Sequence, residues 1–322
     1  MLLILSVSLG SVYIRPSEVL SILINRTSED SAFYHIIYNY RMPKAFTAVF
    51  AGSALGFAGL QMQTLFRNPL AGPFVLGISS GASLGVALLV LSGIGITGIL
   101  ASWGMAIASI TGSSLVLILV LTVSFNIRDS MSLLLIGLMV GAFTSAVVSV
   151  LQYFSSADNI QSFLFWTFGS TGNLSWQEMK VFIPVVVLGI VIGISQAKPL
   201  NALLMGENYA QSMGLTVKKV RVALVISTSL LAGVVTAFCG PVAFLGLAVP
   251  HVARIIFKSA NHMILIPATL LLGSILLLTC DIIAQLPGID LILPINAVTS
   301  LFGAPIVIWL IVKRKNISRN FG

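Results

Sequence analysis

Few side chains in this sequence are of a type that does bond chemistry, and their spacing argues against it. The histidines His35, His251 and His262 stand far apart and mostly near the ends of apolar runs. That placement suits structural hydrogen bonds better than a metal site. Cys239 and Cys280 each lie inside apolar sequence and read as packing residues, with no disulfide framework implied. No Gly-x-x-x-x-Gly-Lys-Ser/Thr phosphate loop, zinc-ligand spacing or nucleophile elbow occurs. No catalytic residue, metal or cofactor is therefore expected. Asp281 is the acid that clearly sits within an apolar run. An acid inside a membrane is a functional candidate by default. Alone and near a helix end, it is expected to cap a helix or bond to a neighbouring one rather than relay protons.

Two polar stretches between apolar runs are unlike ordinary loops. Arg67-Asn68-Pro69-Leu70-Ala71-Gly72-Pro73 carries two prolines and a glycine, which fix a rigid turn. Pro199 to Leu215 is too polar to span a membrane and too apolar for a solvated loop. It reads as two short amphipathic helices broken at Gly206 and closed at Gly214, a docking surface for another protein. A third feature is a stripe of small and polar residues, Gly141, Ser145, Ser149 and Gln152, at helical spacing. It lines a transport path or packs one helix on another.

Composition says what must hold these pieces. Of 322 residues, 57% are hydrophobic and 8% charged, against about a quarter charged in soluble domains. Only a bilayer solvates so apolar a surface. Spans are expected near 45–66, 74–92, 98–123, 132–154, 178–196, 221–239, 242–258, 263–284 and 295–312. Met1–Ile14 is apolar but too short to cross, and is expected to be a helix whose beginning lies upstream. The fold class is thus all-α, a polytopic transmembrane bundle of about ten helices at roughly 20 residues per span. It forms a single domain, 1–322, with the helix pair at about 199–216 as an appendage.

The formal charge of +8 tests the orientation. Alternating sides from a cytoplasmic start puts Arg67, Arg128, Lys198, Lys218, Lys219, Arg221, Arg254, Lys258, Lys313, Arg314, Lys315 and Arg319 inside. Arg15, Arg26, Arg41, Lys44 and Lys180 fall outside, among the acids Glu18, Glu29, Asp30, Asp158, Glu178 and Asp290. This bias follows the positive-inside rule and places both termini in the cytoplasm. It accounts for the basic charge without a nucleic-acid partner. Glycines recur on single helix faces, at Gly52 and Gly56, at Gly77, Gly81 and Gly85, and at Gly189 and Gly193, where they let helices approach closely. Ala51-Gly52, Gly59 and Pro69 return at an offset of 181 as Ala232-Gly233, Gly240 and Pro250. Such a recurrence arises by chance in glycine-rich helices or marks an inverted repeat, a common transporter plan, since the expected topology runs the two copies in opposite directions.

These stretches resemble the FecCD-type permeases, membrane subunits of ABC importers for ferric siderophores, haem and cobalamin. The resemblance runs through Arg41-Met42-Pro43-Lys44, Gln61 to Ala82, Phe165-Trp166 with Gly169-Ser170, and Gly206-Glu207-Asn208-Tyr209-Ala210. It continues through Gly240-Pro241, Phe244-Leu245-Gly246-Leu247, Pro250-His251-Val252-Ala253-Arg254, Asp281 and Gly303-Ala304-Pro305. It implies a cobalamin/siderophore-permease fold in a bacterial cytoplasmic membrane. It also implies a second permease subunit, expected to be a copy of this chain, a pair of ABC ATPase subunits below and an extracytoplasmic binding protein above. On this resemblance Asn201, Leu204, Gly206, Glu207, Ala210 and Gly214 couple to the ATPase. Arg41 and Lys44 dock the binding protein, with Gln285 nearby, and Arg67, Asn68, Pro69, Gly72, Pro73, Pro250, His251 and Arg254 form structural turns. Gln285 stands where the family often has arginine. Ile292-Leu293-Pro294-Ile295-Asn296 stands where it often has Glu-Leu-Pro-x-Gly, so the outer surface is less basic than usual. The expected function is import of an iron complex, a ferric siderophore foremost, with haem, cobalamin and an ion-coupled transporter as alternatives.

Overall fold

The computed structural model describes residues 1–10, 12–25, 32–93, 99–126, 130–285 and 293–319. Expectations that rest on Arg26, Glu29, Asp30, Arg128, Asp290 and Ile292 lie outside them. Helix α1 (Leu2–Ser8) and α2 (Pro16–Asn25) precede α3 (Ala32–Ile36), which runs through a wider π turn (Ile37–Arg41) into α4 (Met42–Leu65). A turn and one 3-10 turn (Pro73–Leu76) lead to α5 (Ile78–Leu91), α6 (Ile99–Asn126), α7 (Ser130–Tyr153), α8 (Ala157–Phe168) and α9 (Trp176–Ser195). The short pair α10 (Ala197–Leu204) and α11 (Glu207–Ser212) follows, then α12 (Val217–Cys239), α13 (Leu245–Phe257), α14 (His262–Ala284) and α15 (Ile295–Arg319).

Among the described residues, six helical stretches are long and apolar enough to cross a bilayer: Ala32–Leu65, Trp103–Val123, Leu135–Tyr153, Trp176–Ser195, Val217–Cys239 and His262–Ala284. Three shorter apolar helices, Ile78–Leu91, Leu245–Phe257 and Ile295–Ile308, account for the remaining expected runs. The runs 74–92 and 242–258 therefore differ from expectation: their helices have only 14 and 13 residues. At 1.5 Å per residue these reach about 20 Å, short of a hydrocarbon core of about 30 Å. The cause is local, because the backbone turns left-handed just before each helix, at Gly77 (φ 74°) and Phe244 (φ 64°). Helix α8 occupies a segment between the expected spans 132–154 and 178–196, for which no helix was expected. Its Phe163 packs with Val86, Ala87 and Leu91 of α5, and that tertiary contact pays for order that its polar residues hide.

Helices α4 and α12 form the centre, with 83% and 78% of their spanning windows buried. They fit there because their contact faces are small. A Cβ at Gly52 would collide with the carbonyl of Gly273 on α14, and one at Gly59 with the carbonyl of Gly246 on α13. Gly81 and Gly85 do the same for α5 against Gly112 and Ala108 of α6. Close backbone approach supplies the packing that holds helices together in lipid. The offset of 181 matches two like units: long, buried α4 followed by short α5, and long, buried α12 followed by short α13.

The glycine contacts differ in what a methyl group would meet. At Gly72 it would lie 3.5 Å from the Leu247 side chain, an ordinary contact. Gly59→Ala is expected to lower stability by about 1–3 kcal/mol through overpacking, and Gly72→Ala by no more than about 0.5 kcal/mol. Thermal unfolding of both variants in detergent checks the order.

Candidate functional site

The residues of interest gather at the two ends of α4. At its N-terminal end a cleft of about 700 Å³ is lined by Arg41, Lys44, Thr171, Asp281 and Gln285, with Phe165 and Phe168 among its apolar residues. All three expected docking residues thus share one cleft. The two basic side chains, however, are committed within the chain. Arg41 Nη1 donates to the carbonyls of Val7 (2.8 Å) and Ser8 (3.1 Å), and Nη2 donates to that of Val12. The guanidinium so closes the end of α1, where helical carbonyls lack partners. Lys44 Nζ lies 3.2 Å from Asp281 Oδ1, with side chains 12% and 3% exposed. Thr171 Oγ1 donates to the same oxygen at 2.5 Å. Asp281 therefore bonds α14 to α4 and to the loop before α9. Nearby, Asn296 Oδ1 accepts from the Ala243 N–H at 3.1 Å, a bond that glycine could not make.

At the other end lies the short helix pair. Gly206 sits at φ 114° between α10 and α11, a conformation that strains any side chain, and Gly214 closes the pair at φ 83°. The inner faces, with Leu200, Leu203 and Ala210, join one apolar cluster with Met62, Leu65, Val220 and Leu224. Leu204, Met205, Tyr209 and Met213 point outward, 38%, 67%, 50% and 62% exposed. Each short helix has its own polar attachment. Glu207 meets Arg221 of α12 at 3.1 Å. Asn201 Oδ1 accepts from His262 N (2.8 Å) and Nδ1 (2.9 Å) at the start of α14, and its amide donates to Asn261 Oδ1 at 2.9 Å.

The turn motifs converge here too. Asn68 Oδ1 accepts from Leu70 N at 2.9 Å, folding the turn that begins at Arg67 (φ 47°). His251 Nε2 lies 2.8 Å from the Pro69 carbonyl, and Arg254 Nη1 donates to Gln63 Oε1 at 2.6 Å. Gly72 and Pro73 abut Leu247 and Gly246. The turn 67–73 is thereby seated against α13, where Pro250 lies buried.

The stripe Gly141, Ser145, Ser149 and Gln152 lies on α7, of whose spanning window only 11% is buried. Ser145 and Ser149 are exposed, while Gly141 faces Ser80 of α5. Sequence reasoning missed Thr171, and it missed Thr64, whose hydroxyl lies 2.8 Å from His262 Nε2. The available signal was a threonine at the end of an apolar run and a histidine at the start of another.

The comparisons with known proteins follow the whole chain. The model of the FecCD transport family matches residues 1–313. The chain is 33% identical to the hemin transport system permease HmuU of Yersinia pestis, over 98% of this chain and 94% of that protein. It is 34% identical to the vitamin B12 import system permease BtuC of Salmonella paratyphi A, over 96% and 91%. Its fold matches an inward-facing putative metal-chelate type ABC transporter with a TM-score of 0.85 and 28% identity, over 97% and 95% of the two chains. PsaBC of Streptococcus pneumoniae shares the fold alone, with a TM-score of 0.55 and 16% identity over 91% and 94%.

The Lys44–Asp281 pair makes a direct stability test. Removing one partner of a buried pair costs about 3–5 kcal/mol, whereas replacing both with apolar groups is often near neutral. Asp281→Leu alone is expected to lower the unfolding temperature sharply. Adding Lys44→Met should restore most of it, as read by thermal unfolding in detergent.

Proposed function

The chain belongs to the FecCD transport family, and we propose that it is the membrane-spanning subunit of a binding-protein-dependent importer that carries an iron complex inward. The importer is of the ABC type, in a bacterial cytoplasmic membrane. The observation that carries this reading is the match to importer permeases along nearly the entire chain, in sequence and in fold. ATP is hydrolysed by a partner subunit, and this chain supplies the path. A ferric siderophore is the favoured cargo, supported by likeness to a metal-chelate type transporter. Haem and cobalamin are the alternatives, supported by the relatives named for hemin and vitamin B12.

The parts take these roles in the proposal. A pair of ATPase subunits meets α10–α11, whose outward Leu204, Tyr209 and Met213 offer an apolar contact, with both chain termini on that side. Glu207 and Asn201 hold the two helices to the spans. A second copy of this chain covers the sparsely buried α7, and Gly141, Ser145, Ser149 and Gln152 line the path between copies. The binding protein docks over the cleft of Arg41, Lys44 and Gln285, where Arg41 keeps its charge because its partners are neutral carbonyls, while the Lys44 charge is balanced by Asp281. Its association should then weaken with salt. An ion-coupled carrier would need ion ligands at midplane, whereas Asp281 is already taken up by Lys44 and Thr171.

Proteoliposomes holding the permease, its ATPase and its binding protein test the reading. ATP-dependent accumulation of ferric siderophore, with hemin and cobalamin as competitors, is the expected result. Accumulation driven by an ion gradient without ATP would overturn it. Gly206→Pro should cut uptake by roughly tenfold or more, since strain of about 1–3 kcal/mol is placed at the junction of α10 and α11.

A further inference from the structure

Helices α10 and α11 are fastened to different spans. Helix α11 is tied through Glu207 to Arg221 of α12. Helix α10 is tied through Asn201 to His262 of α14, and through the His262 ring to Thr64 of α4. His262 is 0% and Thr64 3% exposed, so neither has water as an alternative partner. The junction between the two short helices is Gly206, at φ 114°. A hinge between two differently anchored rods converts their relative rotation into relative motion of the spans they hold.

The hydrogen positions in this link follow from the donors that must be satisfied. The backbone N–H of His262 points at Asn201 Oδ1, which fixes that atom as oxygen. An oxygen there obliges His262 Nδ1 to be the protonated nitrogen. In the neutral ring, Nε2 is then an acceptor, and the Thr64 hydroxyl faces it at 2.8 Å. That hydroxyl has one hydrogen and two acceptors, His262 Nε2 and the Leu60 carbonyl at 3.0 Å within its own helix. The bond across to α14 is thus one of two discrete arrangements. An element with two arrangements is what a transmitted conformational change requires.

We propose that the Asn201–His262–Thr64 chain is the joint through which motion of α10 reaches α4 and α14, with His262 a positioning residue of the transport cycle. This rests on the importer reading above. Arg221–Glu207 moves α12 at the same time, so the two joints together shift the central pair α4 and α12 against each other. The histidine makes no contact with cargo in this account. Its role is to keep a helix that lies outside the bundle in register with two helices inside it.

The test uses the assembled complex in proteoliposomes and reads cargo moved per ATP hydrolysed. Thr64→Val removes only the hydroxyl, Thr64→Ser keeps it, and His262→Leu removes both ring bonds. The ratio should fall about 3–10-fold in Thr64→Val and His262→Leu and stay near wild type in Thr64→Ser. An unchanged ratio in Thr64→Val, with the protein inserted and assembled, overturns the joint. A second readout is independent of cargo. Spin labels at Lys198 on α10 and Met263 on α14, both exposed positions, report their separation in the permease alone. A broadened distance distribution in Thr64→Val supports the joint, and one identical to wild type refutes it. A wild-type complex that moves no iron complex would sink the functional reading while leaving this distance test in force.

Discussion

Helix α4 must carry polar side chains through a medium that offers them no water, and the rest of the bundle is arranged to meet that need. Lys44 pairs with Asp281 of α14. Ser53 bonds Ser274 and the Leu270 carbonyl of the same helix. Gln61 bridges Ser227 and Thr228 of α12 at 3.0 and 3.1 Å. Gln63 bonds the Leu247 carbonyl and Arg254 of α13, and Thr64 reaches His262. A polar group left unpaired in hydrocarbon costs several kcal/mol, so each of these bonds also specifies which neighbour lies where. Glycines at 52 and 59 bring α13 and α14 close enough for those bonds to form.

The attachments differ at the two ends of α4. Around Lys44 and Arg41, three segments are fixed by charge-assisted bonds: α1, α14 and the loop before α9. Around Gly206, two short helices pack apolar faces inward and leave aromatic and sulfur-bearing side chains outward. A bundle fixed at one end and jointed at the other suits the alternating access of an importer.

Much of this was legible from residue types. The membrane class, the apolar runs and the broken pair at Gly206 follow from hydropathy and from glycine chemistry. Glycine spacing named the close-packed faces at Gly52 and at Gly81 and Gly85, but Gly77 instead turns the chain before α5 and faces α7; Asp281 was expected to cap a helix or bond to a neighbouring one, and it bonds to Lys44 of α4. The shortness of α5 and α13 was not legible, because Phe244 at φ 64° gives no signal in its residue type. Helix α8 was hidden because its packing on α5 is tertiary. The partners of Arg41, Lys44 and His262 lie 34, 237 and 198 residues away in the sequence, at Val7, Asp281 and Thr64. No spacing rule reaches so far; charge and family likeness alone pointed Arg41 and Lys44 outward to a partner.

The central claim is that α10–α11 is where an ATPase drives this chain. Its two native cysteines, Cys239 and Cys280, are both buried, so a cysteine introduced at an exposed site is read against little background. Disulfide cross-linking of Met213→Cys to single cysteines on the ATPase surface is the most direct measurement. The account predicts cross-links from position 213, changing in yield with bound nucleotide, and none from a cysteine at Met139 on the exposed face of α7. Cross-links at 139 with none at 213 would contradict it.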